Sequence, residues 1–161
     1  MNHIRKAKGG DVLSVLKLLT QVNMVHHNGR PDLFKGPATK YTPRELVEIF
    51  VNPKTPVFVC VGDRGKVLGY VMCILKQEVN DNILTDIKTL YIDDLCVDEA
   101  IRGQGVGAAL YEHAVNFARE SGCYNVTLNV WALNTAAQRF YEARGMTPQK
   151  IGMEYILGAE E

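Results

Sequence analysis

The chain has 161 residues, of which 47% are hydrophobic, so it is long enough to bury one substantial core. Lysine plus arginine and aspartate plus glutamate both number 18, which excludes the basic excess with which many proteins hold nucleic acid. No stretch approaches the roughly 20 apolar residues that span a bilayer, and no apolar leader follows a basic start. We therefore expect one domain over residues 1–161, soluble and cytoplasmic, with no nucleic-acid or membrane partner.

The first third of the chain predicts a strand, a helix and a long loop. Residues 3–7 form the strand, and a helical period of apolar residues begins at Asp11, a plausible N-cap, and fades near His26. The segment from there to Tyr41 mixes glycine, proline and charged residues, which indicates an exposed loop.

A second helix and a hairpin follow. Thr42-Pro43-Arg44-Glu45 combines a capping box with proline at the first helical position, and this helix should end near Asn52. Two stretches rich in valine and isoleucine, 57–61 and 67–75, flank a glycine turn and predict antiparallel strands.

The second half alternates strands and helices. It predicts strands at 90–97, 125–130 and 150–157, and helices at 107–120 and 135–144, the latter capped by Asn134. The whole pattern indicates an α/β fold of the α+β type, with a mixed, mostly antiparallel central sheet flanked by helices. The last strand would lie at an edge of the sheet, where a second copy could pair, so a homodimer is expected.

The cysteines predict neither a disulfide framework nor a metal site. Cys60, Cys73, Cys96 and Cys123 stand singly in apolar stretches, without a C-x-x-C pair or a histidine at metal-ligand spacing. We expect reduced thiols in the core and no bound metal.

Three glycines in five residues separate the predicted strand at 90–97 from the helix that follows it. Gly103, Gly105 and Gly107 would let the backbone approach a ligand and aim N–H groups at it, where the helix dipole favours negative charge. Arg102 adds a fixed positive charge. A phosphate group is the natural ligand, and a simple packing turn is the plainer alternative.

Two other phosphate-binding motifs fit this segment less well. A Walker A loop requires a Lys-Ser or Lys-Thr pair after the last glycine, and the chain has none there. The dinucleotide pattern is satisfied by Gly103, Gly105 and Ala108, but no acidic ribose ligand ends the next strand, and too little chain remains for a doubly wound sheet. The remaining interpretation of the glycine segment is a site for a pyrophosphate bound without magnesium, such as that of coenzyme A.

Two motifs together resemble the GCN5-related N-acetyltransferase (GNAT) family. The first is a Q/R-x-x-G-x-G/A segment that follows Leu95, Cys96 and Val97 and consists of Arg102, Gly103, Gln104, Gly105, Val106, Gly107 and Ala108. The second begins at Asn134 and ends in Phe140-Tyr141-Glu142-Ala143-Arg144-Gly145-Met146, with Met146 where the family usually has phenylalanine.

This resemblance implies an enzyme that moves an acetyl group from acetyl-coenzyme A to an amine within a ternary complex. The glycine segment and Asn134 would bind the coenzyme. The predicted strand at 90–97 would splay open after Asp94, so that the backbone groups of Leu95 and Val97, with Cys96 between them, meet the pantetheine arm and the thioester.

The resemblance also implies catalytic roles. Tyr141 would be the general acid for the departing thiolate, although a tyrosine at a helix edge often serves packing alone. Asp93 is the favoured base, acting through water, and strand alternation would place it on the face of Tyr91 and opposite Asp94. Asp94 or a chain of waters remains an alternative base, and such an acidic pair resembles that of polyamine acetyltransferases.

The sequence does not identify the acceptor amine. His26, His27 and Arg30 lie where the family's variable substrate wall forms, and they are either loop surface or acceptor contacts. A small molecule, a polyamine or a peptide could supply the primary amine. The alternatives are a protein N-terminal or lysine acetyltransferase, and a non-catalytic regulatory or scaffold domain that binds acetyl-coenzyme A.

Overall fold

A five-stranded sheet organises the first of two compact units in the computed structural model, which describes residues 1–158. This unit, residues 1–129, contains β1 (His3–Lys6), α1 (Val12–Gly29), α2 (Pro43–Val51), β2 (Val57–Val61), β3 (Val67–Gln77), β4 (Lys88–Val97), α3 (Val106–Glu120) and β5 (Asn125–Leu128). The second unit starts at Val130 and contains α4 (Thr135–Ala143). A single domain over 1–161 stays a prediction, and its last three residues lie outside the described part.

The strands follow one another across the sheet in chain order. β1, β2, β3 and β4 pair antiparallel with their neighbours, and β5 pairs parallel to β4. A parallel neighbour needs a crossover, and α3 supplies it. The predicted mixed, mostly antiparallel sheet flanked by helices is therefore confirmed.

Two apolar clusters lie on the two faces of the sheet. On one face, α1 and α2 bury Leu19 and Leu46 against alternate strand residues, including Tyr70. On the other face, α3 buries Leu110 against strand residues that include Ile92. Full burial of one such leucine contributes about 1.5–3 kcal/mol, so these two clusters fix where the helices lie on the sheet.

α1 is longer than its apolar period predicts, since it ends at Gly29 rather than near His26. The His26 ring packs on Phe34 at 5.0 Å between centroids, and the backbone N–H of Arg30 bonds to the His26 carbonyl. Contacts with residues beyond the helix thus stabilise its last turn. Asp11 occupies the N-cap position, but its carboxylate accepts bonds from Arg5 and from the Lys8 backbone instead of capping α1.

Two predicted helix starts are confirmed with their hydrogen bonds. Thr42 and Glu45 exchange the reciprocal bonds of a capping box at α2. The Asn134 side chain accepts a bond from the Ala137 N–H at 3.2 Å, which caps α4.

The predicted strand at 150–157 is wrong. These residues have no regular secondary structure, and no described residue forms a ladder with them. Ile151, Met153, Tyr155 and Leu157 alternate as in a strand, but all four are exposed. Alternating apolar residues form a strand only when a neighbouring strand supplies backbone partners, so the pattern alone does not determine the structure.

Other expectations concern cysteine, metal and membrane. All four cysteines are free thiols, and three of them are buried while Cys123 is half-buried. Within residues 1–158, no group of three or more His, Cys, Asp and Glu side chains is placed to hold a metal ion. None of the helices in that range is both long and apolar enough to cross a membrane.

Candidate active site

The glycine segment forms the turn between a short 3-10 helix, Glu99–Ile101, and α3. Gly103 and Gly105 have φ angles of 85° and 80°. This left-handed conformation costs an L side chain about 1–2 kcal/mol. A methyl group at either position would meet no described atom within 4 Å, so backbone conformation rather than packing requires glycine here.

The start of α3 presents backbone donors. Gly105 is its N-cap residue, and no side chain of the described residues caps that end. The first intrahelical bond runs from the Ala109 N–H to the Gly105 carbonyl at 3.1 Å, so the N–H groups of Val106, Gly107 and Ala108 precede it. Donors of this kind at the positive end of a helix dipole suit an anion.

Arg102 places a positive charge between this turn and the end of β4. Its Nε donates to the carbonyl oxygen of Val97 at 3.4 Å, while Gln104 lies exposed in the turn. The guanidinium therefore adds to the favourable field for an anion at the start of α3.

Asp98 holds the chain just before the glycine segment, and its role was not foreseen. Its Oδ1 accepts bonds from the Ala100 N–H at 3.1 Å and from Gln21 Nε2 at 3.4 Å. The Glu99 N–H donates to Gln21 Oε1 at 3.1 Å, which ties the segment to α1. The bond from Ala100 lowers the pKa of the Asp98 carboxyl although burial opposes the change. Aspartate is a typical residue before the start of a helix, so the position of Asp98 before the short Glu99–Ile101 helix could have predicted this role.

The β4 strand continues beyond its pairing with β5. The last β4–β5 pair is Ile92 with Leu128, while β4 stays paired with β3 as far as Val97. The Asp98 N–H donates to the Leu68 carbonyl of β3, and bonded and non-bonded pairs alternate in an antiparallel ladder. The backbone groups of Val97 and Leu95 therefore face away from β3, as the resemblance implies, but the strands part after Ile92 rather than after Asp94.

A β-bulge in β4 corrects the predicted orientation of the acidic pair. Met72 pairs with Asp94 and Cys73 with Ile92, which leaves Asp93 as the extra residue. Ile92 lies in the cluster under α3, whereas Cys96 lies in the cluster under α1 and α2, so the alternation inverts at the bulge. Asp93 and Asp94 consequently share the α1/α2 face, instead of pointing to opposite faces.

Asp93 is held by two residues from the loop between α1 and α2. Lys40 Nζ lies 2.8 Å from its Oδ1, and the Tyr41 hydroxyl donates to its Oδ2 at 2.6 Å. The Asp93 side chain is 11% exposed. Burial, followed by the bond to Asp93, raises the pKa of Tyr41 well above its ordinary value. Neither Lys40 nor Tyr41 was singled out from the sequence.

Asp94 lies in a less polar environment. Burial raises the pKa of its carboxyl to about 6, although the bond that its Oδ2 accepts from the Tyr70 hydroxyl, 2.6 Å long, opposes this change. Tyr70 itself is fully buried. A tyrosine within an otherwise apolar strand needs a partner for its hydroxyl, so the sequence around Tyr70 predicts a buried acceptor, although not which residue supplies it.

A cavity of about 330 Å³ opens beside Asp93, between α2, β3 and β4. Glu45 and Glu48 of α2 and Met72 and Ile74 of β3 also line it. Carboxylates beside apolar side chains suit a cation on an alkyl chain.

The residues of the predicted substrate wall hold the loop in place. His27 Nδ1 lies 2.6 Å from the Phe34 carbonyl oxygen, and His26 packs on the Phe34 ring. Burial, together with the charge of Lys40, lowers the pKa of His26. Arg30 forms an ion pair with Asp32 at 2.9 Å.

Tyr141 and Asn134 belong to the second compact unit. Within it Tyr141 is half-buried on α4, and its ring lies 5.1 Å from that of Phe140 in an edge-on arrangement. The positions of Tyr141 and Asn134 relative to the glycine turn stay a prediction.

Comparison with known proteins connects these features. A family model described as the Acetyltransferase (GNAT) family matches residues 25–146. The matched range runs from the end of α1 through β4, the glycine turn and α4.

Individual relatives carry acetyltransferase names. The peptidyl-lysine N-acetyltransferase YjaB of Salmonella typhimurium is 34% identical over 101 residues, which cover 63% of this chain and 56% of that protein. The thialysine N-epsilon-acetyltransferase of Bos taurus is 26% identical over 152 residues, covering 88% of this chain and 82% of that protein. The chain thus spans little more than half of the YjaB relative.

A solved structure is similar over nearly the whole chain. The crystal structure of a mutant BH1408 protein from Bacillus halodurans has a TM-score of 0.92 and 33% identity, and the match covers 96% of this chain and 99% of that one.

Proposed function

Because the chain belongs to the Acetyltransferase (GNAT) family, we propose that it transfers the acetyl group of acetyl-coenzyme A to a primary amine by direct attack in a ternary complex. Membership in the family confirms the resemblance and the fold that it implied. The observation that carries the proposal is the uncapped glycine turn at the start of α3, beside the part of β4 that has left β5.

Donor binding would use the backbone more than side chains. The N–H groups of Val106, Gly107 and Ala108 suit the pyrophosphate, with Arg102 supplying charge, and Gly103 and Gln104 complete the turn. The backbones of Leu95 and Val97 would meet the pantetheine arm, whereas the Cys96 side chain is buried under α1. Asn134 would add a contact from the second unit. Acetyl-coenzyme A is thereby a donor substrate.

The reaction needs two protons removed from nitrogen and one supplied to sulfur. An amine arrives as ammonium at neutral pH, so a base must take the first proton before nitrogen attacks the thioester carbonyl. As the new C–N bond forms and the C–S bond breaks, the thiolate takes a proton from Tyr141, and the second proton that nitrogen loses restores the tyrosine through solvent, which leaves the amide and the free thiol. We propose Asp93 as the base because it lines the cavity, while Asp94 and a water chain remain alternatives.

The acceptor is proposed to be a cationic alkylamine. Glu45, Glu48 and Asp93 line the cavity beside Met72 and Ile74, which supports an ammonium group carried on an apolar stem. Small amines, polyamines and lysine side chains all have this form. The names of the two relatives specify peptidyl-lysine and thialysine for those proteins.

A panel of acceptors tests the proposal. The full chain is mixed with acetyl-coenzyme A and with 1,5-diaminopentane, spermidine, lysine, a lysine peptide or a peptide with only a free N-terminus, and free thiol is followed. We expect thiol release that depends on an alkylamine. Release with the N-terminal peptide alone would favour a protein N-terminal acetyltransferase.

Tyr141→Phe tests the proposed acid, with Tyr124→Phe as a matched control at a tyrosine that is 75% exposed. The first variant should lower kcat about 10²-fold, since general acid catalysis contributes about 10²–10⁴-fold, and the control should not. Tight binding of acetyl-coenzyme A without thiol release from any amine would instead support a non-catalytic scaffold.

Location and assembly are separate parts of the proposal. We propose a cytoplasmic protein, to be tested by cell fractionation. We also propose a homodimer, which the exposed apolar residues Ile151, Met153 and Leu157 support. Light scattering of the full chain across a concentration series tests it, and a constant monomer mass would refute it.

A further inference from the structure

Lys40 holds the carboxylate that the proposed acceptor needs. Its ammonium lies 2.8 Å from Asp93 Oδ1, and the Tyr41 hydroxyl takes the other oxygen. The Asp93 side chain is only 11% exposed and each of its oxygens already has a donor, so an ammonium that binds Oδ1 in the same way must take the place of Lys40. The Lys40 side chain is itself 48% exposed, so it can move away into solvent.

The rest of the loop is anchored more firmly than Lys40. Asn23 Nδ2 donates to the Lys35 carbonyl at 2.7 Å, and His27 lies against the Phe34 carbonyl. Burial of the half-buried Tyr41 ring beside α1 and α2 secures the other end. The Lys40 side chain can thus leave Asp93 without release of the loop.

Lys40 also has the chemistry of the proposed acceptor, a primary ammonium at the end of an alkyl chain. Its Nζ lies 5.5 Å from the centre of the Tyr41 ring, a distance at which a cation is attracted to an aromatic face. A carboxylate and a phenol that together hold one alkylammonium can hold another in its place.

We propose that Lys40 is an intramolecular competitor of the acceptor: it occupies the ammonium position on Asp93, and a lysine-like or diamine acceptor binds by displacing it. The inference rests on the proposed function in taking Asp93 as the carboxylate that meets the acceptor. An exposed ion pair is worth up to about 1 kcal/mol, so Lys40 weakens acceptor binding by about two- to fivefold.

The test compares Lys40→Met, which keeps the length but removes the charge, with Lys40→Arg, which keeps a cation. Lys35→Met in the same loop is the matched control, since it removes one exposed positive charge away from Asp93. Binding of 1,5-diaminopentane to each full-length protein is measured by calorimetry at low salt, and the KM and kcat for the same diamine are measured by thiol release.

Lys40→Met should bind the diamine about two- to fivefold more tightly and lower KM in the same proportion, while Lys40→Arg and Lys35→Met stay within twofold of wild type. Unchanged or weaker diamine binding by Lys40→Met, including no binding by either protein, overturns the inference. The calorimetric comparison does not depend on turnover. Absence of thiol release with every amine therefore refutes the proposed function separately.

Discussion

The Tyr70 hydroxyl donates a bond of 2.6 Å to Asp94 Oδ2 across neighbouring strands of the sheet. Tyr70 is fully buried, so its hydroxyl has no access to water and depends on this acceptor. The bond also lowers the pKa of Asp94, against the larger effect of burial. The pair thus stabilises the core and adjusts the acidity of one carboxylate of the candidate site.

Tyr70→Phe should destabilise the protein by about 1–3 kcal/mol at pH 7.5, because it removes a hydrogen bond to a carboxylate whose charged form burial already disfavours. The same change should raise the pKa of Asp94 above about 6, since the lost bond favours the ionised form. Chemical denaturation measures the first effect, and NMR titration of the carboxyl measures the second. Tyr124→Phe, at an exposed tyrosine, should change neither. An unaltered Asp94 titration in Tyr70→Phe would contradict this assignment.

Asp94 should make stability fall as pH rises from about 4 to about 6. Its pKa is about 6 in the native protein against an ordinary value of 3.8, so only the native state holds the proton within this range. Stability then decreases with pH by up to about 1.4 kcal/mol per unit. Asp94→Asn should remove this contribution, so its stability relative to wild type should rise across the window. The exposed Asp86→Asn control should follow wild type, and parallel curves for Asp94→Asn would contradict the prediction.

Valine at two glycines of the turn should separate folding from donor binding. Gly105→Val places a β-branched residue at φ 80° and should cost about 1–2 kcal/mol of stability or more. Gly107→Val lies inside α3, where the helix propensities of glycine and valine are similar, and should cost less. Both should abolish binding of coenzyme A in calorimetry, since each crowds the N–H groups at the helix start. Normal binding by both would make the site assignment wrong.

Gln21→Ala should weaken coenzyme A binding about two- to tenfold with little change in the acceptor KM. The side chain joins α1 to Asp98 and Glu99 just before the glycine turn, and each lost bond is worth about 0.5–1.5 kcal/mol. Ser14→Ala, at an exposed position of the same helix, is the control. Equal coenzyme affinity in the two variants would show that the tether does not position the turn.

The features that the sequence predicted correctly depend on residues only a few positions apart in the chain. The Thr42–Glu45 capping box and the Asn134 cap each operate over three residues, and both are formed. The left-handed glycines before α3 are likewise a local requirement of the chain. These short-range rules located the helices and the candidate donor site.

The features that were missed depend on partners far along the chain. The direction of Asp94 is set by a bulge against β3, and strand alternation within β4 could not reveal it. Lys40 meets Asp93 across 53 positions. The segment at 150–157 alternates like a strand but has no regular secondary structure, so here the local pattern predicted a strand that is absent.

The bulge in β4 adds a carboxylate to the α1/α2 face without moving the donor contacts. Ile92 and Asp94 pair with consecutive residues of β3, so a strand without Asp93 would alternate regularly and would keep Cys96 on the α1/α2 face. The Leu95 and Val97 backbones would likewise keep facing away from β3. Deletion of Asp93 would therefore remove one acidic group and leave the donor side of the strand as it is.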